Sequence, residues 1–342
     1  MNARFRWLYP FDYAVIVYLL FAVYLTRHLE IQFNWSVFLD FRYELLMLFH
    51  GTPVVLSVVY AHQIFVKRKS LSDILGEFLR AIRTTAADWK SWHEFLRTLV
   101  ALKICMTVYC HLKQEIPLLN STIYDQELAA IDQAVHLGYD PVAESLALAG
   151  SIWFVRLVDL AYICWFLFKA PVLLFFLFQP RYQIRWQFFT SFLLVWMIGG
   201  TFAIWFPSLG PIYVEPHLFE QISAPFAQEV QAGLWDHYQQ LQANPEKYRI
   251  QIYEGIAAFP SLHVAIVALY AVALRKFGWV FWPALAYCCV MQFGSVLLGW
   301  HYAIDGYFGA VMAVAIYFAL SPISSSAKPR SNGSSAIANH HG

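Results

Sequence analysis

Two short stretches near the C-terminal end hold the residues best suited to chemistry: Phe259-Pro260-Ser261-Leu262-His263-Val264 and Gly299-Trp300-His301-Tyr302-Ala303-Ile304-Asp305-Gly306. Each sets a histidine at the mouth of an apolar segment, and Asp305 follows His301 by four residues. On a helix that spacing places both side chains on one face. A carboxylate beside an imidazole fixes its tautomer and raises its basicity, as a histidine needs in order to attack an electrophile. His263 can then supply a proton. Two histidines and an aspartate, without a metal-ligand spacing, point to phosphoryl transfer through a covalent phosphohistidine. Zinc accepts the same three side chains, but no further ligand motif accompanies them. Neither a metal nor an organic cofactor is expected.

The elements that must position these residues are membrane helices. Of 342 residues, 59% are hydrophobic, 18% aromatic and only 13% charged, with mean hydropathy +0.50. A soluble domain of this length is about a quarter charged. The shortfall comes from long uncharged runs, so the fold class expected is all-α, a polytopic transmembrane helix bundle. A net charge of +1 and the lack of a basic arm give no reason to expect a nucleic-acid partner. Cys105, Cys110, Cys164, Cys288 and Cys289 all sit in apolar segments, which predicts neither a disulfide framework nor a zinc site. Arg4 and Arg6 precede an apolar run as in a signal peptide. Tyr24, Leu25, Arg27 and His28 stand where small residues would mark cleavage, so this run reads as a retained first span.

About 20 mostly apolar residues cross a bilayer. The spans predicted are 11–27, 45–66, 96–112, 148–168, 187–206, 260–275, 279–299 and 303–320, eight in all. Lys103 falls in the third, and Arg156 and Asp159 in the fourth, where they are expected to pair with each other. Counting connecting segments alternately, one side collects sixteen lysines and arginines, Lys169 and Arg181 among them, and the other collects five. This asymmetry predicts that both termini are cytoplasmic. His263 then opens the sixth span and His301 closes the seventh on the opposite side, so both meet Asp305 at one interface near headgroup depth. The site is expected to face the periplasm, cell exterior or an organelle lumen, and the expected location is a bacterial inner membrane.

Three regions do not span. Residues 70–95 read as an amphipathic cytoplasmic helix, with Leu71, Ile74, Leu75, Phe78, Leu79 and Ile82 on one face. Residues 113–147 are acidic, carrying Asp125, Glu127, Asp132, Asp140 and Glu144, and read as solvated faces. Residues 207–258 form a long loop of the kind that is usually functional or partly structured. The chain divides into 1–95, two spans plus the amphipathic helix; 96–320, the membrane domain with the histidines; and 321–342, a Ser/Ala/Asn-rich disordered tail. No internal repeat suggests a transporter with inverted halves. The remaining histidines read as structural or solvated. Trp300 and Tyr302 read as interfacial aromatics, with Tyr302 also kept among the candidate substrate contacts.

Through Pro260-Ser261-x-His263 and His301-x-x-x-Asp305 the chain resembles the type 2 phosphatidic acid phosphatase superfamily. Within it, the chain is most similar to the inositolphosphotransferase branch named for inositol phosphorylceramide synthase. Leu262 stands where the phosphatases usually have glycine, and Gly299-Trp300-His301-Tyr302-Ala303-Ile304-Asp305 is close to the branch's form of the last motif. Upstream, Ile116 to Asn120, Tyr124-Asp125, Asp132 and Gly138 to Pro141 match a polar block of that branch, and Phe206 to Tyr213 a turn of it. The resemblance covers about residues 100–320 and implies a six-helix phosphatase-like core. It also implies that His301 is the nucleophile, Asp305 its orienting base and His263 the general acid. Ser261 and the amides opening the sixth span would cradle the phosphoryl oxygens. The phosphatases' arginine six residues before the nucleophile is replaced by Ser295, and no copy of their lysine and arginine-proline motif is present. Lys247 and Arg249 are the basic substitutes expected. The function implied is a phosphotransferase that moves a phosphoryl-headgroup from a phospholipid or polyprenyl-phosphate-type lipid to an alcohol or lipid acceptor. Simple lipid phosphate hydrolysis is the rival within the class, and non-catalytic lipid binding or transport the rival outside it.

Overall fold

The computed structural model describes residues 10–30, 33–42, 89–177, 181–248 and 254–321, with scattered positions between them. Most of the expected span at 45–66, most of the expected amphipathic helix at 70–95, Arg249 and the tail beyond Ser321 lie outside the described residues. Among the described residues every regular element is a helix, and the expected all-helical bundle is what the chain forms. Its principal members are α1 (Pro10–His28), α2 (Trp89–Leu119), α3 (Asp125–Val135), α4 (Pro141–Leu148), α5 (Ile152–Ile163), α6 (Trp165–Leu177), α7 (Tyr182–Trp205), α8 (Pro225–Ala243), α9 (Leu262–Leu274), α10 (Phe281–Leu297) and α11 (Ala303–Ala319).

Among the described residues, five stretches are long and apolar enough to cross a bilayer: Phe11–His28, Trp92–Leu119, Ile152–Leu177, Tyr182–Trp205 and Leu262–Leu297. The last is a hairpin that turns at Phe277 and Gly278, where the helical backbone is interrupted, and Ala303–Ala319 is a shorter apolar helix. The protein is therefore an integral membrane protein. Apolar side chains such as Val17, Leu20, Leu157 and Val311 remain exposed on the bundle surface, where lipid tails rather than water suit them.

Two predicted spans differ from what forms. The third runs from Trp89 to Leu119, well beyond the expected 96–112, because the bundle interior accommodates its charges. Lys103 is buried and donates to the Asp40 carbonyl at 2.6 Å, and Glu115 accepts from Thr26 at 2.7 Å. The fourth starts at Ile152 and continues past a break at Cys164 to Leu177. Within it Arg156 and Asp159 do not pair. Asp159 accepts the N–H groups of Phe226 and Ala227, both at 2.9 Å, and Arg156 reaches Ser223.

Helix α9 is the axis of the bundle. It is buried nearly all round, as expected of a helix apolar on every face. It packs against α7, α10 and α11. Helices in a membrane gain most from close backbone approach at small residues. Gly309 of α11 provides it: a Cβ there would meet the Ser261 carbonyl oxygen at 2.5 Å. Pro10 and Ser321 lie at the same end of the bundle, away from the histidines. Asp12 pairs with Arg97 at the start of α2, and Ser321 meets Gln187 at the start of α7.

The acidic block is not a set of solvated faces. Asp125 and Asp132 are buried, whereas Glu127 and Glu144 are exposed. Asp132 accepts the N–H groups of Ala303 and Ile304, both at 2.7 Å, and so caps α11 from α3. Asp125 accepts those of Leu209 and Gly210, at 2.9 and 2.8 Å, fixing the turn after α7. Burial pushes both carboxyls up, and the backbone donors pull them back. Removing a partner from a buried donor costs about 1–3 kcal/mol. Asp132→Ala is therefore expected to lower the melting temperature in detergent clearly, and Asp132→Asn, which keeps one carbonyl acceptor, to lower it less. Exposed Glu144→Ala is the control for unfolding followed by fluorescence. Equal melting of the Asp132→Ala and Glu144→Ala proteins would remove this cap from the account.

Candidate active site

The two histidine motifs meet at one end of the bundle, each held by its own turn. Ser261 caps α9, its Oγ accepting from Val264 N–H at 3.5 Å, which sets His263 in the first turn. The chain leaves α10 through Trp300 and His301, whose N–H groups both bond the Ser295 carbonyl, at 2.9 and 3.1 Å. Ser261 N–H donates to the Asp305 carbonyl at 3.0 Å, tying the two motifs together directly. Gly210, at φ 96°, passes so close to this corner that a Cβ would meet the Trp300 carbonyl oxygen at 2.5 Å.

His301 and His263 face each other with ring centroids 6.2 Å apart and planes at 62°. A tetrahedral phosphoryl group fits such a gap, bonded to one ring and with an oxygen in hydrogen-bond reach of the other, about 2.6–3.2 Å. His301 Nδ1 lies 2.7 Å from the Ala258 carbonyl oxygen and 3.6 Å from Asp305 Oδ2. A carbonyl oxygen only accepts, so the ring donates from Nδ1 and keeps Nε2 bare. The Ala258 carbonyl, rather than Asp305, thus orients the ring. Asp305 Oδ2 instead accepts Tyr302 N–H at 3.0 Å, and Oδ1 is buried without a hydrogen-bond partner among the described residues. His301 also precedes α11 rather than lying in it, so it meets Asp305 across the capping turn.

Both histidines line a cavity of about 1090 Å³, counted out to its open mouth. Aromatic side chains in its wall include Tyr109, Tyr162, Trp165, Phe166, Trp196 and Trp300. Trp165 meets His263 edge-on, with centroids 5.0 Å apart. Among the described residues two cations line the cavity, Lys113 of α2 and Lys169 of α6, both within electrostatic range of His263. Lys169 is buried, with Nζ 5.5 Å from the ring centroids of both Trp165 and Trp196.

The other residues singled out in the sequence lie elsewhere. Ser261 is fully buried as a helix cap. Tyr302 is packed in a separate cluster with Leu128, Phe219 and Phe259, where burial and then the Asp125 charge push its phenol up. Lys247 is exposed on another surface hollow, with Gln239 and Asn244. Ser295 is buried and donates to the Gln292 carbonyl. Neither Lys113 nor Lys169 belongs to a sequence motif, and charge counting puts Lys169 on the opposite side. A signal for both exists, since an ionisable residue inside an apolar span is a functional candidate by default.

No curated protein and no solved structure matches the chain. A match to the PAP2 superfamily extends over residues 126–319, more than half of the chain and across both histidine motifs. Taken with the apolar helices and the paired histidines, that match makes the protein a member of the PAP2 superfamily, a membrane enzyme of the lipid phosphatase and phosphotransferase type.

Proposed function

We propose that the protein is a lipid phosphotransferase that works through a phosphohistidine and belongs to the inositol phosphorylceramide synthase-like branch. The observation that carries this reading is the 2.7 Å contact from His301 Nδ1 to the Ala258 carbonyl, which leaves Nε2 without a proton on a ring whose centroid is 6.2 Å from that of His263, both rings lining a cavity with two lysines. In the first half-reaction, Nε2 of His301 attacks phosphorus of the donor phosphodiester. The bond from phosphorus to the diacylglycerol oxygen breaks, and His263 gives that oxygen its proton. The phosphoryl-headgroup stays on His301. In the second half-reaction an acceptor hydroxyl passes its proton to His263, its oxygen attacks phosphorus, and the P–N bond breaks. Asp305, 3.6 Å from Nδ1, serves as counter-charge to the positive ring of the intermediate. Lys113 and Lys169 neutralise the phosphoryl oxygens. The aromatic wall limits water, which favours an alcohol as acceptor.

The site lies at the end of the bundle opposite Pro10 and Ser321. The basic-residue count supports a cytoplasmic position for those two and a non-cytosolic one for the histidines, and it survives the removal of Lys169, leaving fifteen against five.

His301→Ala is expected to cut turnover by on the order of 10³ or more and to abolish labelling of the protein by radioactive donor lipid. His263→Ala should lose about 10² to 10⁴ in rate on a phospholipid but far less on a p-nitrophenyl ester, whose leaving group needs no proton. Retained labelling in His301→Ala would defeat the assigned nucleophile. Lys113→Ala and Lys169→Ala should each raise KM about tenfold through lost charge-assisted contacts, and Lys247→Ala should not; the reverse order would move the phosphate site to the loop. Transferase and hydrolase separate when purified protein is given labelled phospholipid with an alcohol acceptor. Label in a new lipid is the expected result, and label in water-soluble phosphate alone identifies a hydrolase.

A further inference from the structure

The hairpin of α3 and α4 does not cross the membrane, and no step of the proposed reaction uses its outer side. Its inner side is fixed: Leu128 and Val142 are buried, and Asp132 caps α11. The outer side carries Ile131, Val135, Leu137, Tyr139 and Leu148, all exposed. Leu137 is 90% exposed, more than any other large apolar side chain among the described residues. Its backbone is costly as well. Gly138 N–H donates to the Gln133 carbonyl at 2.7 Å, closing α3 with a turn whose preceding residue is left-handed. That residue is Leu137, at φ 59°. Glycine or asparagine fits there at much lower conformational cost. A leucine so placed gains nothing from water.

The surface of the membrane helices continues into this face on two sides. His136 Nε2 lies 3.1 Å from the Tyr307 hydroxyl of α11, whose next turn exposes Val311. Past Leu148 the chain enters the span that begins at Ile152, where Ile152 and Trp153 are exposed. Between α4, α10 and α11 runs a groove of about 960 Å³, counted out to its open mouth, lined by Leu148, Cys289, Phe293, Tyr307 and Ala310 among others. Along α3 the exposed stripe turns apolar toward the hairpin's tip, from Glu127 through Ile131 to Val135. We propose that the α3–α4 hairpin is an interfacial anchor, tipped turn-first into the leaflet on the histidine side. Elements of this kind sink about 5–10 Å into the boundary between headgroups and acyl chains. Tyr139 suits that depth, with an apolar ring and a polar end. No lysine or arginine lies between Lys113 and Arg156, whereas Glu127 and Glu144 are exposed. The lipid surface that fits is therefore zwitterionic, since anionic lipid would be drawn by basic residues. This surface lies outside the cavity and is independent of the reaction assigned there.

Photo-crosslinking tests the anchor in the full-length protein, held in phosphatidylcholine nanodiscs. With p-benzoylphenylalanine in place of Leu137, irradiation should give a phosphatidylcholine adduct by mass spectrometry. The same probe in place of Val311 should give one too, and in place of Glu127 far less. A Leu137 probe that captures a second copy of the chain instead of lipid overturns the anchor. So does one that captures no lipid while the Val311 probe does, and equal lipid yield at Glu127 and Leu137 overturns the turn-first placement. Leu137→Asn decides the matter without photochemistry. Asparagine relieves the left-handed backbone, so with the turn in water the melting temperature should stay level or rise. With the turn in lipid, the change sets an amide among acyl chains and should lower it by about 2 °C or more. An unchanged or raised melting temperature in the nanodiscs therefore removes the anchor.

Discussion

One hydrogen bond, from the His301 ring to the Ala258 carbonyl, decides what this cavity can do. An imidazole with a proton on the wrong nitrogen presents a donor to phosphorus and cannot attack it. The backbone at Ala258 is itself held, its N–H donating to the Ser208 carbonyl at 2.8 Å, and Ser208 belongs to the turn that Asp125 fastens. A tautomer at the rim thus depends on a carboxylate in α3. A main-chain carbonyl carries no net charge, so it fixes the ring without neutralising it. In the proposed mechanism the charge-balancing task is left to Asp305, 3.6 Å from Nδ1.

Carboxylates used as backbone acceptors are the recurring device. Asp125, Asp132 and Asp159 each take two N–H groups from a different segment, and each segment borders the cavity or bears the motif. At a membrane rim the first turns of helices carry donors that neither lipid nor distant water can satisfy. A side chain delivered from elsewhere in the chain satisfies them and sets the angle between two elements at once. This is how α3, α5, α8 and α11 are brought to one corner although they are far apart in sequence.

Much of this arrangement is legible in the order of residues alone. The sixth to eighth predicted spans lie within two residues of α9, α10 and α11, because those runs are apolar from end to end. The convergence of His263, His301 and Asp305 follows from counting crossings. The third and fourth spans are misjudged where charges interrupt them. Hydropathy assigns a lysine or glutamate to water, and it has no means of knowing that Lys103 meets a carbonyl or that Asp159 caps another helix. For the same reason it places Lys169 outside the site that Lys169 lines, and prefers exposed Lys247. The spacing of His301 and Asp305 correctly makes them neighbours. It cannot reveal that a main-chain oxygen forty-three residues upstream takes the closer position.

Helix α9 has 13 residues, so it is about 20 Å long, against a hydrocarbon slab of about 30 Å. At its far end Lys276 donates to Gln187 at 2.8 Å and Arg275 lies over the Phe318 ring; basic residues there suit the membrane surface, which leaves the shortfall at the end that carries His263. In the proposed reaction, the phosphorus of a bound lipid would then have to sink roughly 10 Å beneath its neighbours' headgroups, dimpling the leaflet around the protein. Acyl chains would stay in the bilayer throughout, with only the head drawn down to meet the imidazoles.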